Sequence, residues 1–138
     1  MLNLSAEASA ALAERLRTEN VAWITTVTPA GQPQSSPVWF LWDGGTFVVY
    51  AQPDSWKVRN ARTNPKVSLH LNSDEQGGGV VTFEGSAQVL DGHPQVHQVP
   101  AYLEKYRDGI ASIGMSPEQM GAEYATALGI TPTRVRVY

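Results

Sequence analysis

The chain has 138 residues, of which 42% are hydrophobic, and its ten basic and 13 acidic residues give a formal net charge of −3. It contains no cysteine, which excludes a disulfide framework, thiolate catalysis and any cysteine-ligated metal site. The acidic balance argues against nucleic-acid binding, and no apolar run reaches the roughly 18 residues of a membrane-spanning helix. No export signal is recognisable at the N-terminus. We therefore expect one cytoplasmic domain over residues 1–138, with no nucleic-acid partner.

Helices are predicted in three places. Residues 5–18 have the spacing of an amphipathic helix, with Ser5 as a suitable N-cap. Its packed face consists of Ala8, Ala11, Leu12 and Leu16. Two further helices are predicted near residues 95–107 and 117–128, and the second opens with Ser116 followed by Pro117, which is typical of a helix start.

Six strands are predicted from hydrophobic runs, period-two alternation and the turn residues between them. They cover residues 21–28, 33–42, 46–52, 66–72, 80–90 and 133–138. Because short turns join most strands and no βαβ alternation occurs, we expect a mainly β fold, an antiparallel barrel with peripheral helices. An open α+β sheet is the alternative. Trp23, Phe47 and Phe83 are expected in the core.

A basic cluster follows the third predicted strand. Residues 57–66 contain four of the ten basic residues and no carboxylate. In a helix, which turns about 100° per residue, Ser55, Arg59 and Arg62 fall within an arc of roughly 60°. Lys57 lies in the first turn, where unpaired N–H groups and the helix dipole favour an anion. The pattern therefore indicates a phosphate site formed by Lys57, Arg59 and Ser55, with Arg62 able to reach an outer group of the ligand.

Two residues at the end of the preceding strand extend this site. Tyr50 and Gln52 would place an aromatic wall and an amide beside the same anion, which favours a flat phosphorylated ligand. The alternative interpretation is a solvated helix face whose basic side chains pair with Asp54 or Glu84.

Catalytic and metal-binding constellations are incomplete in this sequence. His93 and His97 are four residues apart, but Pro94 interrupts the segment and no third ligand stands at a matching spacing. Ser35 and Ser36 lack the strained turn of a serine nucleophile. We predict no catalytic side chain and no metal site, which suits a redox protein whose hydride chemistry belongs to a cofactor.

Several short motifs together carry a family resemblance. They are the strand Pro37–Trp42, the hairpin entry Gly45-Thr46-Phe47, the turn Lys57-x-x-Asn60, Asn64-Pro65 before a Val/Leu strand, and Phe83-Glu84-Gly85. Through them residues 21–90, and more loosely 131–138, resemble the FMN-binding split-barrel family that includes pyridoxamine 5'-phosphate oxidase. Within that family the chain looks most like members that use the deazaflavin coenzyme F420. The resemblance implies a six-stranded antiparallel split β-barrel of Greek-key topology.

The same resemblance implies how a cofactor is held. The site is a groove between the subunits of a homodimer. The phosphate would be contacted by Ser55 and Lys57 with support from Arg59 and Asn60, the ring lined by Pro37, Val38 and Trp39, and the ribityl chain flanked by Tyr50 and Gln52. Arg62 would attract the outer tail of the cofactor.

The function implied is that of an oxidoreductase. It would bind coenzyme F420 and transfer a hydride to an unsaturated or quinone-like small-molecule substrate. One alternative is an FMN-binding protein similar to pyridoxamine phosphate oxidase. Another is a non-enzymatic deazaflavin carrier or sensor.

Overall fold

A computed structural model describes residues 3–138, in which seven strands form one antiparallel sheet. The strands are β1 (Ala22–Val27), β2 (Pro33–Val38), β3 (Leu41–Trp42), β4 (Phe47–Ala51), β5 (Lys66–Leu71), β6 (Val81–Val89) and β7 (Thr126–Val137). The α-helices are α1 (Ala6–Thr18), α2 (Trp56–Thr63), α3 (Pro100–Ser112) and α4 (Pro117–Glu123), and a 3₁₀ helix covers Val96–Gln98. Within the described residues, no helix is both long enough and apolar enough to cross a membrane.

The two edge strands of the sheet are consecutive in the chain, and this bends the sheet into a half-barrel. The strand order is β2-β1-β5-β6-β7-β4-β3. Only Trp39 and Phe40 separate β2 from β3, so the two edges lie within about 11 Å of each other at this corner. The prediction of a mainly antiparallel split barrel with peripheral helices is confirmed.

The corner at Phe40 divides the strand that was predicted over residues 33–42. The Phe40 N–H donates a hydrogen bond to the Tyr106 hydroxyl at 2.8 Å, and the Phe40 carbonyl accepts one from Lys105 Nζ at 3.0 Å. The backbone of the corner is thus satisfied by side chains of α3 and not by a neighbouring strand. Seven strands therefore replace the six predicted.

The boundaries of the later elements also differ from the prediction. The expected helix over 95–107 is a 3₁₀ turn followed by α3, which begins with Pro100 at its first position and continues to Ser112. The helix expected over 117–128 ends at Glu123, and β7 begins at Thr126. The segment after Glu123 pairs with β4 on one side and with β6 on the other, so sheet pairing overrides its helical propensity.

Proline occurs inside β7 because the strand has a bulge there. Gly85 of β6 is opposite Pro132, whereas Glu84 is opposite Arg134, so β7 has one extra residue. A Cβ at Gly85 would lie 2.7 Å from the Thr131 carbonyl oxygen, which explains why a glycine occupies this close approach. The sequence predicts a strand only after Pro132, because a proline inside a strand is unfavourable unless the strand has a bulge there. The first half of β7 was therefore not predicted.

The described residues form two hydrophobic clusters. The barrel interior contains Phe47 and Phe83, which are 0% and 1% exposed as expected, together with Leu12 and Leu16 of α1. The prediction for Trp23 is wrong. It lies half-buried on the outer face of the sheet, where it stacks on His70 at 6.5 Å and donates to Asn72.

The second cluster lies between β4 and the helices α3 and α4. Its members include Tyr50, Tyr102, Tyr106, Ile110 and Met120. This cluster holds α3 and α4 beside the ends of β2 and β4, and it forms one side of the cleft described below.

Candidate functional site

Helix α2 starts directly after β4, and its position is fixed by its packed face. Val58 and Ala61 are 0% and 6% exposed and dock on the barrel, as the helical spacing predicted. The amide of Asn60, also buried, donates to the side-chain oxygens of Thr26 in β1 and Gln34 in β2, both at 2.9 Å. These contacts fix where the first turn of α2 lies relative to the barrel.

A cleft of about 210 Å³ opens at this first turn, between the ends of β2 and β4 and the helices α3 and α4. Seven of the ten predicted site residues line it: Pro37, Val38, Trp39, Tyr50, Gln52, Ser55 and Lys57. Its other lining residues are Ala51, Tyr102, Ile113, Met120 and Tyr124.

The hydroxyl of Ser55 is a buried polar group without a partner. Ser55 is the N-cap of α2, but its side chain makes no capping hydrogen bond, and its Oγ has no partner among residues 3–138. The first N–H groups of a helix need a partner outside the helix, and here the capping residue supplies none. An anion at this point would satisfy both the hydroxyl and the free N–H groups.

Lys57 brings a positive charge to the same turn. Its side chain is half-buried, makes no hydrogen bond or ion pair with any described residue, and burial lowers its pKa. A cation that has lost part of its hydration without gaining a counterion is stabilised by an incoming anion. Ser55 and Lys57 therefore fit a phosphate group.

The aromatic and amide groups beside this turn are held by neighbouring elements. The Tyr50 hydroxyl donates to the Pro94 carbonyl at 2.8 Å, and burial raises the pKa of Tyr50 to about 12. The Gln52 amide donates to the Glu123 carboxylate of α4 at 3.0 Å. Trp39 stacks on Tyr106 with 4.7 Å between ring centroids. These contacts fix the walls of the cleft in position.

Three predicted site residues lie outside this cleft. Arg59, Asn60 and Arg62 line a second cavity of about 580 Å³, which also contacts Trp56. The guanidinium of Arg59 donates to the Asp54 carbonyl oxygen at 2.9 and 3.1 Å. Arg59 is thus held beside α2 by a main-chain oxygen, and no ion pair with the carboxylate of Asp54 is formed among the described residues.

Sequence reasoning did not find the part of the cleft that α3 and α4 supply. Tyr102, Ile113, Met120 and Tyr124 carry no local motif, and they reach the cleft only because these helices pack on β4. Gly121 lets α4 approach the 3₁₀ helix, since a Cβ there would lie 2.6 Å from the His97 ring. No sequence signal identifies a contact of this kind.

Among residues 3–138, no group of three histidine, aspartate or glutamate side chains is close enough to hold a metal ion.

The comparisons with known proteins agree with this architecture. Residues 8–138 match the family described as pyridoxamine 5'-phosphate oxidase. No curated protein sequence matches the chain.

Three similar solved structures share the fold. The conserved hypothetical protein Rv2991 from Mycobacterium tuberculosis is 23% identical with a TM-score of 0.76, covering 99% of this chain and 86% of that one. A protein named F420 reductase is 22% identical with a TM-score of 0.65, covering 89% and 94%. HutZ, a heme storage protein from Vibrio cholerae, is 18% identical with a TM-score of 0.65, covering 92% of each chain.

At these identities the structures show a shared fold, and the family is shown by the match over residues 8–138. The chain belongs to the pyridoxamine 5'-phosphate oxidase family.

Proposed function

We propose that this protein is an oxidoreductase that binds coenzyme F420 in the cleft and reduces an unsaturated or quinone-like small molecule. The observation that carries the proposal is the unpaired, half-buried Lys57 beside the unpaired Ser55 hydroxyl at the uncapped start of α2. A phosphate is the group that both side chains and the helix N-terminus would stabilise. FMN, which also carries a phosphate, is the alternative cofactor.

The chain's own residues would bind and orient the cofactor, which supplies the hydride chemistry when it is bound. Ser55 and Lys57 would hold its phosphate, and Pro37, Val38 and Trp39 would form a wall against its ring. Tyr50 and Gln52 would flank the ribityl chain between these two parts. The supporting observation is that all seven residues line one cleft.

Arg59 and Arg62 would have a separate role at the outer end of the cofactor. They line the neighbouring cavity with Trp56, and both arginines are exposed to solvent. The acidic tail that the resemblance to F420-dependent proteins implies would be attracted to them. Asn60 would act indirectly, because its amide holds α2 on the barrel.

A homodimer would complete the site. The cleft volume of about 210 Å³ is below the range of roughly 300–1,000 Å³ that ligand pockets span. Trp56, the first residue of α2, is 66% exposed and lines the neighbouring cavity. A second copy that covered Trp56 would remove a large apolar side chain from water and enclose the cofactor.

A heme is less suited to the cleft than a flavin-type cofactor. HutZ shares the fold and is named for heme storage. In this chain, however, no histidine is among the described residues that line the cleft, whereas Ser55 and Lys57, which we propose to bind a phosphate, do line it.

Parallel titrations of the purified protein with F420, FMN and hemin test the proposal. Trp39 lines the cleft, so cofactor binding should quench tryptophan fluorescence. We expect quenching by F420 at micromolar concentration, and by FMN more weakly. If neither quenches in that range, the proposed function is wrong; if hemin alone does, the chain is a heme protein. Turnover of a quinone with reduced F420 then separates an enzyme from a carrier.

A further inference from the structure

The side of the cleft that α3 and α4 form (the α3–α4 side) is less polar than the end that contains Ser55 and Lys57 (the phosphate end). It is formed by Tyr102, Ile113, Met120 and Tyr124. Among the described residues that line the cleft, Lys57 is the only charged one, and it stands at the other end. The α3–α4 side therefore presents two aromatic rings and two apolar side chains to a ligand.

Tyr102 is held rigidly within this wall. It is 1% exposed, and its ring packs edge-on against Tyr50 at 5.1 Å and at a tilt against Tyr106 at 4.8 Å. A side chain packed between two other rings has little freedom to turn its hydroxyl elsewhere.

The hydroxyl of Tyr102 makes no hydrogen bond with any described residue. The neighbouring hydroxyls do: that of Tyr50 donates to the Pro94 carbonyl, and that of Tyr106 is bonded at the Phe40 corner. Among the described residues, the buried side-chain atoms without a partner are Ser55 Oγ and His97 Nδ1, and the Tyr102 oxygen is not one of them, so it remains reachable from the cleft that Tyr102 lines. A ligand atom in the cleft would supply the hydrogen-bond partner that Tyr102 lacks.

Tyr102 would act as a hydrogen-bond donor. Burial raises its pKa well above the ordinary value, and the nearby tyrosines Tyr106, Tyr50 and Tyr124 act in the same direction. The phenol is therefore neutral and protonated across the physiological range. Its natural partner is an acceptor such as a carbonyl oxygen.

We propose that the α3–α4 side of the cleft is the substrate subsite, which takes a flat apolar ring bearing an acceptor oxygen hydrogen-bonded by the Tyr102 hydroxyl. The inference rests on the proposed function, because it assigns the cleft's phosphate end to a cofactor. It makes Tyr102 a positioning residue and Ile113, Met120 and Tyr124 the walls that contact the ring.

Two matched ring compounds test the subsite without any turnover. Calorimetric titration of the full chain with 1,4-naphthoquinone and with naphthalene compares the same ring with and without acceptor oxygens. We expect Tyr102→Phe to lower naphthoquinone affinity about fivefold, the effect of one net hydrogen bond, and to leave naphthalene affinity unchanged. Tyr138→Phe, at a 73% exposed tyrosine, should change neither.

Ile113→Ser is a second test that does not disturb the core, since Ile113 is half exposed. It should weaken both ring compounds by a similar factor, because it removes apolar contact and no hydrogen bond. If wild type and Tyr102→Phe bind naphthoquinone equally, or if wild type binds neither ring compound, the subsite assignment is overturned.

An FMN titration of the same variants separates this proposal from the proposed function. Tyr102→Phe should leave the FMN dissociation constant unchanged. A loss of FMN affinity as large as the loss of naphthoquinone affinity would place Tyr102 against the cofactor and overturn the subsite. Failure of the wild type to bind either FMN or F420 would instead end the proposed function.

Discussion

Lys57 and Ser55 are two cleft-lining side chains that lack a partner among the described residues. The structure gives Lys57 no hydrogen bond or ion pair and the Ser55 Oγ no partner within residues 3–138. By contrast, Arg59 is bonded to the Asp54 carbonyl and Asn60 to Thr26 and Gln34. A ligand would therefore give Lys57 and Ser55 their first partners, whereas Arg59 and Asn60 already have hydrogen bonds within the chain.

This difference predicts unequal effects of two substitutions. Lys57→Ala should weaken binding of FMN or F420 by about 1.5–3 kcal/mol, roughly 10- to 150-fold, because it removes a charged hydrogen bond to the phosphate. Arg59→Ala should weaken FMN binding by less, since Arg59 lies outside the cleft. Fluorescence titration at fixed ionic strength measures both.

Lys66→Ala is the matched control for loss of a positive charge. Lys66 lies on β5, is exposed and does not line the cleft. Its removal should leave the dissociation constant within about twofold of wild type. An effect equal to that of Lys57→Ala would mean that only the overall charge matters, and Lys57 would lose its assigned role.

At the scale of elements, α2 depends on one buried amide for its placement. Asn60 is 5% exposed and bridges β1 and β2, while Val58 and Ala61 supply the apolar contact. Asn60→Leu should lower the free energy of unfolding by about 1–3 kcal/mol, because the buried Thr26 hydroxyl loses its partner. Urea denaturation measures the change.

Arg62→Ala is the control on the same helix. Its side chain is exposed, so the free energy of unfolding should stay within about 0.5 kcal/mol of the wild-type value. Equal stability of Asn60→Leu and wild type would show that apolar packing alone positions α2.

Local patterns determine most elements of this chain, and long-range contacts determine the rest. Ser5 caps α1 and the alternation in β5 and β6 faces the core, as predicted from spacing. The break at Phe40 could not be predicted, because it depends on Tyr106, which is 66 residues away. The start of β7 was hidden by the bulge at Pro132.

The same division applies to the cleft. Residues 37–39, 50–52 and 55–57 belong to one continuous stretch of chain whose turn and charge pattern can be read directly. Tyr102, Met120 and Tyr124 reach the cleft only through the packing of α3 and α4 on β4. A site built from local and distant segments is therefore only partly visible in the sequence.

At the scale of the whole molecule, Lys105 joins three parts of the fold. Its Nζ donates to the carbonyl oxygens of Phe40 at 3.0 Å and Leu16 at 3.3 Å, and it lies 3.8 Å from the Phe40 ring centroid. It thus connects α3, the end of α1 and the corner between β2 and β3. Burial lowers the pKa of Lys105 to about 8, although the carboxylate of Glu19 opposes this shift.

This lowered pKa makes the stability of the fold depend on pH in the alkaline range. An unfolded lysine has a pKa of about 10.4, so between about pH 8 and 10 the unfolded state binds more protons than the folded state. Stability must therefore rise with pH in this window. Above about pH 10 the buried tyrosines reverse the trend, because the pKa of Tyr50 is raised to about 12 and unfolded tyrosines ionise first.

Urea denaturation from pH 7 to 11 should show this maximum. We expect the free energy of unfolding to rise by about 1–2 kcal/mol between pH 8 and 10, after allowance for solvent screening of the half-buried ammonium, and then to fall. Lys105→Met should remove most of the rise and keep the fall above pH 10, whereas Lys66→Met on the exposed surface should keep both. A rise of the same size in Lys105→Met would show that Lys105 holds its proton equally well in the folded and unfolded chains, so that its bonds to Phe40 and Leu16 fully replace water.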